Sequence, residues 1–352
     1  MGNSNNNGSK LYIPTIDGLR GIAALMVCIF HLVCFRKVYI SDELLIHKIC
    51  RLGNFGVDIF FVISGIVIPL SLINAQYTLK EWTKFMSKRI IRIEPPYLIA
   101  MFIAAFIIVA RAYLLGQDWT SIISPTRILL HIGYLIPLFP QYTWISDVYW
   151  TLCAEFQFYL FLSVTIFFLV SSEKIKRYVF YVICLSLPVL TLLFADTLGF
   201  PRLIPLEKSP FIAGWLSLFL LGMIYVSWKT HKINTWEYAI VTLMASIVTI
   251  TCLGYLPFLF GISTIVVVYF FPHINTKVSR FLGNISYSLY LLHLPIGTPI
   301  VDFLSHRLIQ PYQKVIAILL AVGILLVLSY LFYLLVEKPS KELAARISYK
   351  KS

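Results

Sequence analysis

The chain has 352 residues, of which 59% are hydrophobic and only 13% charged, and its mean hydropathy is +0.83. A soluble chain carries about 25% charged residues, so a soluble globular enzyme is excluded, and the alternating segments of an outer-membrane barrel are absent. The formal net charge of +13 reads as topology and contact with anionic lipid; no nucleic-acid motif accompanies it.

The hydropathy pattern predicts an all-α polytopic membrane protein with ten transmembrane helices, at 14–35, 55–73, 95–115, 147–170, 177–195, 211–228, 236–253, 256–272, 285–304 and 314–337. The polar stretch MGNSNNNGSK opens a disordered cytoplasmic tail over 1–12, followed by a membrane domain over 13–340 and a basic cytoplasmic tail over 341–352. The first apolar run lacks the short core and cleavage site of a signal peptide, so it stays as the first span. ILLHIGYLIPLF (128–139) is too short to span and is interrupted by Pro137, which predicts a re-entrant or interfacial segment. Gly254 and Pro257 tighten the connection between the seventh and eighth spans into a hairpin. With the N-terminus inside, the inner side holds 18 Lys and Arg against 8 outside, so both termini are expected in the cytoplasm. Six cysteines are scattered without metal spacing. Cys34 and Cys50 either pair on the outer side or stay buried thiols.

Ionisable residues inside these spans are the functional signal. IDGLRGIAALMVCIFH (16–31) places Arg20 and His31 eleven residues apart, on one helix face and about 16.5 Å apart along the axis. A charge at mid-membrane costs about 2.5–3.5 kcal/mol on insertion scales, so such groups face a bundle interior or a wet cavity. Taken singly, Arg20 is equally readable as snorkelling to the interface and His31 as a satisfied core histidine. Their shared face favours a cavity. Asp58 in GVDIFFVISG (56–65) is either a helix-start carboxylate or a partner for His31. Glu155 in WTLCAEFQFYL (150–160) is a carboxylate among aromatic neighbours with no structural explanation. KFMSKRIIRIEPPY (84–97) puts Lys88, Arg89 and Arg92 on shared helix faces, where they serve either as positive-inside anchors or as a polyanion site. Pro95-Pro96 is expected to break this stretch. In LGNISYSLYLLHLP (282–295), Ser286, Tyr290 and His293 share a face, with His293 about 10–15 Å deep by helical rise. Glu337, in LVEKPS, is expected to make a structural ion pair with a residue such as Arg89 or Arg92, with Pro339 closing the helix. The polar residues thus form an outer layer of His31, Asp58 and Glu155 and an inner layer of Arg20, Arg92, Ser286, His293 and Glu337.

These motifs resemble the acyltransferase 3 family of integral-membrane acyltransferases. Arg20 and His31 match its R-x10-H signature, and DGLRG, GVDIFFVISG, RIIRIEPPY, WTLCAEFQFYL, GNISYSLYLLHLP and VEKPS follow in the family's order from residue 16 to 340. The resemblance implies a ten-helix core that moves an acyl group, usually acetyl, from cytoplasmic acyl-CoA to an acceptor hydroxyl, typically of a cell-envelope or exported glycan. The implied setting is the bacterial inner membrane, with acyl-CoA, a glycan acceptor and the lipid bilayer as partners and no metal. Some members carry an extracellular domain for a second step; this chain stops after its last span, so it is expected to act alone or with a separate extracytoplasmic acyltransferase partner.

Histidine suits removal of a hydroxyl proton near neutral pH, so His31 is the expected general base, with Asp58 or Glu155 fixing its tautomer. An acyl-histidine intermediate is the alternative route. Arg20, Arg89 and Arg92 are the expected holders of the CoA phosphates, and Ser286, Tyr290 and His293 the expected lining of the pathway. The competing reading is a transporter or flippase of a polar or lipid-linked substrate, which uses the same architecture but consumes no thioester. A non-enzymatic scaffold would leave the buried histidine and carboxylates without purpose.

Overall fold

Apolar runs of this length satisfy their backbone in a bilayer only as helices or closed barrels, and every regular element among the described residues is helical. The computed structural model describes residues 12–34, 41, 43–118, 123–194, 211–305, 308 and 310–348. The elements are α1 (Thr15–Cys34), α2 (Leu45–Arg51), α3 (Gly56–Asn74), α4 (Trp82–Leu114), α5 (Pro125–Ile132), α6 (Tyr149–Leu169) and α7 (Lys174–Phe194). They continue with α8 (Leu216–Lys229), α9 (Thr235–Leu253), α10 (Tyr255–Phe270), α11 (Lys277–Leu292), α12 (Thr298–Ser305), α13 (Pro311–Phe332) and α14 (Lys338–Ala345). Eight helical stretches are long and apolar enough to cross a membrane. The other two expected spans fall on α10, an apolar helix of 16 residues, and on the segment from α11 through α12. The chain is an all-α integral membrane protein.

Most of the expected tail over 1–12 lies outside the described residues. So do Lys350 and Lys351 at the other end, and Arg36, Lys37, Arg202, Lys208 and Arg307 on the expected outer side.

Two local expectations need correction. Pro95 and Pro96 do not break the chain: α4 runs through both as one helix of 33 residues. Prolines are tolerated in membrane helices because neighbouring groups satisfy the disturbed backbone. Beside them the Tyr287 hydroxyl ties α11 to α4 by donating to the Ile93 carbonyl at 3.0 Å. Pro339 does not close the last helix either; a π-helical turn, Tyr333–Glu337, precedes it and α14 continues to Ala345. Cys34 and Cys50 are both free thiols.

The hairpin between α9 and α10 is made by Gly254 alone, at φ +99°, a conformation that only glycine adopts without strain. Side-chain caps mark helix starts elsewhere: Ser124 accepts from the Arg127 N–H, Asn234 from Glu237 and Thr276 from Ser279. The short segment at 128–139 is α5 followed by a 3-10 turn, too short to cross. It is locked to the chain ahead of α6 by His131, whose Nδ1–H donates to the Arg127 carbonyl at 2.8 Å while Nε2 accepts from the Ile145 N–H at 2.9 Å. Burial pushes this imidazole down to about 4, which keeps it neutral.

The core forms around α8, whose residues from Leu216 to Ser227 are all buried, as expected of a helix apolar on every side. Phe219 of α8 stacks on Phe158 of α6 with centroids 4.1 Å apart and packs on Phe61 of α3 at 4.9 Å. This wedge holds α3 and α6 on the flank of the candidate site.

Candidate active site

The site begins with a close approach of α1 and α11. A Cβ on Gly21 would lie 2.5 Å from the Leu282 Cβ and 2.9 Å from the Gly283 nitrogen, and one on Gly283 would lie 2.5 Å from the Asp17 carbonyl oxygen. Small residues let membrane helices meet backbone to backbone, where dispersion replaces the hydrophobic drive that lipid cannot supply. The contacts run in parallel register: Gly18 against Ser279, Gly21 against Leu282, and His31 against His293. The polar faces of two helices from opposite ends of the sequence are thereby merged.

Between α1, α3, α4, α6, α11 and the last helical segment lies a cavity of about 910 Å³, counting its open mouth. One end is cationic, with Arg20, Arg89, Arg92 and Lys341 on its walls. Arg89 is buried; its Nη2 donates to Ser71 Oγ at 2.9 Å and its guanidinium lies over the rings of Phe85 and Tyr159. Its Nε has no hydrogen-bond partner among the described residues, so a donor remains for an anion. A second cavity, lined by Ser71, Asn74 and Lys88, shares Val67, Arg89 and Arg92 with the first and extends the cationic end to the surface.

The middle of the cavity carries Glu155, which accepts hydrogen bonds from the Tyr159 hydroxyl and, at 3.3 Å, from Ser64. Ser286 and Tyr287 line the same stretch. The far end is walled by Phe60, Thr151 and Tyr290. The Tyr290 and Thr151 hydroxyls are 2.6 Å apart and lie 3.2 and 2.9 Å from the Val148 carbonyl, so one hydroxyl donates to the other, which in turn donates to the carbonyl.

Beyond Tyr290 stand two imidazoles. His293 is wholly buried, 5.6 Å from the Tyr290 ring between centroids, and its Nε2 lies 3.2 Å from His31 Nδ1. His293 opens a π-helical turn, His293–Gly297, that contains Pro295. π turns are uncommon and recur at functional sites.

Residues 13–334 match the acyltransferase domain of the acyltransferase 3 family. The chain belongs to that family. It is 27% identical over 302 residues to a candidate acetyltransferase, ORF330, of Acidianus two-tailed virus, covering 81% of this chain and 83% of the viral protein. It is 25% identical over 372 residues to the O-acetyltransferase OatA of Staphylococcus aureus, covering 95% of this chain and 58% of that protein. The chain therefore spans little more than half the length of its staphylococcal relative. No solved structure matches it.

In this family member the residues singled out from sequence occupy three places. Arg20, Arg89, Arg92, Glu155, Ser286 and Tyr290 line the cavity, and His31 pairs with His293 beyond it. Asp58 is buried in the first turn of α3, outside the cavity lining. Two depth estimates change. α11 starts at Lys277, eight residues before the expected span, so His293 lies about 24 Å along the helix, at the level of His31 rather than in the layer of Arg20. Glu155 sits with Tyr159 and Ser64 in the cavity rather than in the histidine layer.

The expected partner of Glu337 is also corrected. Its carboxylate pairs with Lys341 at 2.6 Å, one helical turn on, and accepts from the Ser288 N–H at 3.1 Å and the Ser288 hydroxyl at 2.5 Å, rather than pairing with Arg89 or Arg92. Lys341, Ser64, Thr151 and Tyr159 were not singled out from sequence. Lys341 had the only available signal, its i, i+4 spacing from Glu337. Among the described residues no group of His, Cys, Asp and Glu could hold a metal ion.

Proposed function

We propose that this protein is a membrane O-acetyltransferase that takes an acetyl group from acetyl-CoA, entering from the cytoplasm, and transfers it to a hydroxyl of a cell-envelope or exported glycan. The observation that carries this reading is the deep cavity with four cationic side chains at one end and the histidine pair past the other. Phosphates suit the Arg20, Arg89, Arg92 and Lys341 end, because guanidinium and ammonium groups make strong charge-assisted bonds to them. The arm of the donor then follows the cavity toward Tyr290. The helical rise of about 16.5 Å between Arg20 and His31 is comparable with an extended pantetheine arm, which brings the thioester to the histidine end.

At that end His31 accepts the proton of the acceptor hydroxyl as its oxygen bonds the acyl carbon. The carbon–sulfur bond breaks, and the departing thiolate takes the proton from His31, so ester and free thiol are the products. Orientation of the two reactants accounts for much of the acceleration, since both are held by walls built from packed helices. The basic cavity end suits the cytoplasmic side under the positive-inside rule, which supports the reading that both termini are cytoplasmic; the proposed setting is the bacterial inner membrane. A separate extracytoplasmic acyltransferase would carry the group onward where the acceptor lies outside.

The test is release of free CoA thiol from acetyl-CoA by the purified protein in liposomes, with and without extracted envelope glycans. Glycan-dependent release that disappears in His31→Ala is the expected result. Glycan movement across the membrane without thioester consumption would replace this reading with a transporter.

A further inference from the structure

His31 needs its lone pair on the nitrogen that meets substrate, and the expected source of that control was a carboxylate, Asp58 or Glu155. We propose instead that His293 is the positioning residue for His31, holding it as the Nδ1–H tautomer with the lone pair on Nε2. The inference deepens the acyltransferase reading and rests on it for its role in catalysis.

The argument follows the hydrogen atoms. His293 Nδ1 lies 2.8 Å from the Tyr290 carbonyl oxygen and 3.2 Å from that of Leu289. Carbonyl oxygens only accept, so His293 Nδ1 carries a hydrogen, and the neutral ring keeps its lone pair on Nε2. That Nε2 faces His31 Nδ1 at 3.2 Å. His31 Nδ1 is also 2.8 Å from the Val27 carbonyl oxygen. Both of these groups are acceptors, so this nitrogen too carries the hydrogen and shares it between them. The reverse pairing would strip Nδ1 of His293 and leave its lone pair against two carbonyl oxygens.

His293 is itself fixed. It is wholly buried, and the Tyr290 backbone that holds its ring belongs to a residue whose phenol is anchored by Thr151 and the Val148 carbonyl. The wall of the cavity and the orientation of the base are thus one connected structure. When His31 takes the hydroxyl proton on Nε2, its Nδ1–H becomes an imidazolium donor, and its bonds to His293 Nε2 and Val27 strengthen as the charge develops. Direct attack by His31 on the thioester would use the same lone pair.

Two measurements test the proposal. The first is 15N solid-state NMR of histidine-labelled protein in lipid nanodiscs without any donor, with the His31 signals assigned by their loss in His31→Ala. Protonated Nδ1 and unprotonated Nε2 on His31 are expected; the opposite tautomer overturns the proposal whether or not the protein is an acyltransferase. The second is kinetic, with acetyl-CoA as donor. His293→Leu lowers kcat about 10- to 100-fold, the usual cost of removing a partner that orients a functional histidine, with KM for acetyl-CoA unchanged. His293→Gln, whose side-chain oxygen can accept from His31, keeps most of the turnover. Equal turnover in His293→Leu and the wild type, or equal losses in the two variants, would overturn the role.

Discussion

Two ionic clusters are buried in this bundle, and they differ in balance. Between α7 and α9, Arg177 forms a two-pronged pair with Glu237 at 2.7 and 2.7 Å, its third nitrogen donates to the Ser171 and Ser172 carbonyls, and Tyr181 adds a bond to the carboxylate at 2.9 Å. Charge cancels and no cavity adjoins it among those described. Around the main cavity, four cations face two carboxylates, Glu155 and Glu337, and the Nε of the buried Arg89 has no partner among the described residues. Desolvating charge is costly in both places. A closed pair offsets that cost internally, whereas an excess of one sign around a void leaves it to be offset by a ligand of the opposite sign. The first pattern is that of a structural pair, and the second is the one expected of a binding site.

The sharpest way to break this comparison is to exchange the two outcomes. Glu237→Ala leaves the buried Arg177 charge uncompensated and is expected to destabilise the fold by about 3–5 kcal/mol, measured by denaturant unfolding in detergent micelles, with donor KM unchanged in the folded fraction. Arg92→Ala is expected to do the opposite. Losing a charge-assisted phosphate contact worth about 1.5–3 kcal/mol raises KM for acetyl-CoA about 10- to 100-fold, while unfolding shifts little. A smaller effect should carry the reverse sign. Glu337→Gln keeps an acceptor for Ser288 but frees Lys341, and since a screened ion pair is worth about 0.2–1 kcal/mol, donor affinity should rise about two- to fivefold. A further effect concerns a buried polar group without charge. His131 is held neutral in the folded chain, so the unfolded chain binds more protons between about pH 6.5 and 4, and stability falls as pH is lowered through that window. Melting temperatures at pH 7 and pH 5 should differ less in His131→Gln than in the wild type.

The helical architecture was legible because each span is a long apolar run whose backbone has no other way to pair. Arg20, Arg92 and Glu155 were legible because charge within such a run needs a reason. What could not be read was register between helices. His31 and His293 are 262 positions apart in the chain, and nothing in either segment announces that glycines at 18, 21 and 283 let α1 and α11 run side by side. Depth counted from the expected start of the ninth span put His293 in the wrong layer, because α11 begins earlier, in a polar stretch that hydropathy discounts. The prolines misled for a related reason. Pro95, Pro96 and Pro339 would disrupt a solvated helix, yet α4 runs through the first two unbroken and a π turn accommodates the third.

The most direct test of the account separates binding from turnover. Acetyl-CoA binding and glycan-dependent thiol release are measured side by side on the wild type, Arg20→Ala and His31→Ala in liposomes. The account predicts that His31→Ala binds donor like the wild type and releases no thiol, while Arg20→Ala binds weakly and regains turnover at high donor concentration. Equal loss of kcat in both variants with donor affinity unchanged would contradict it.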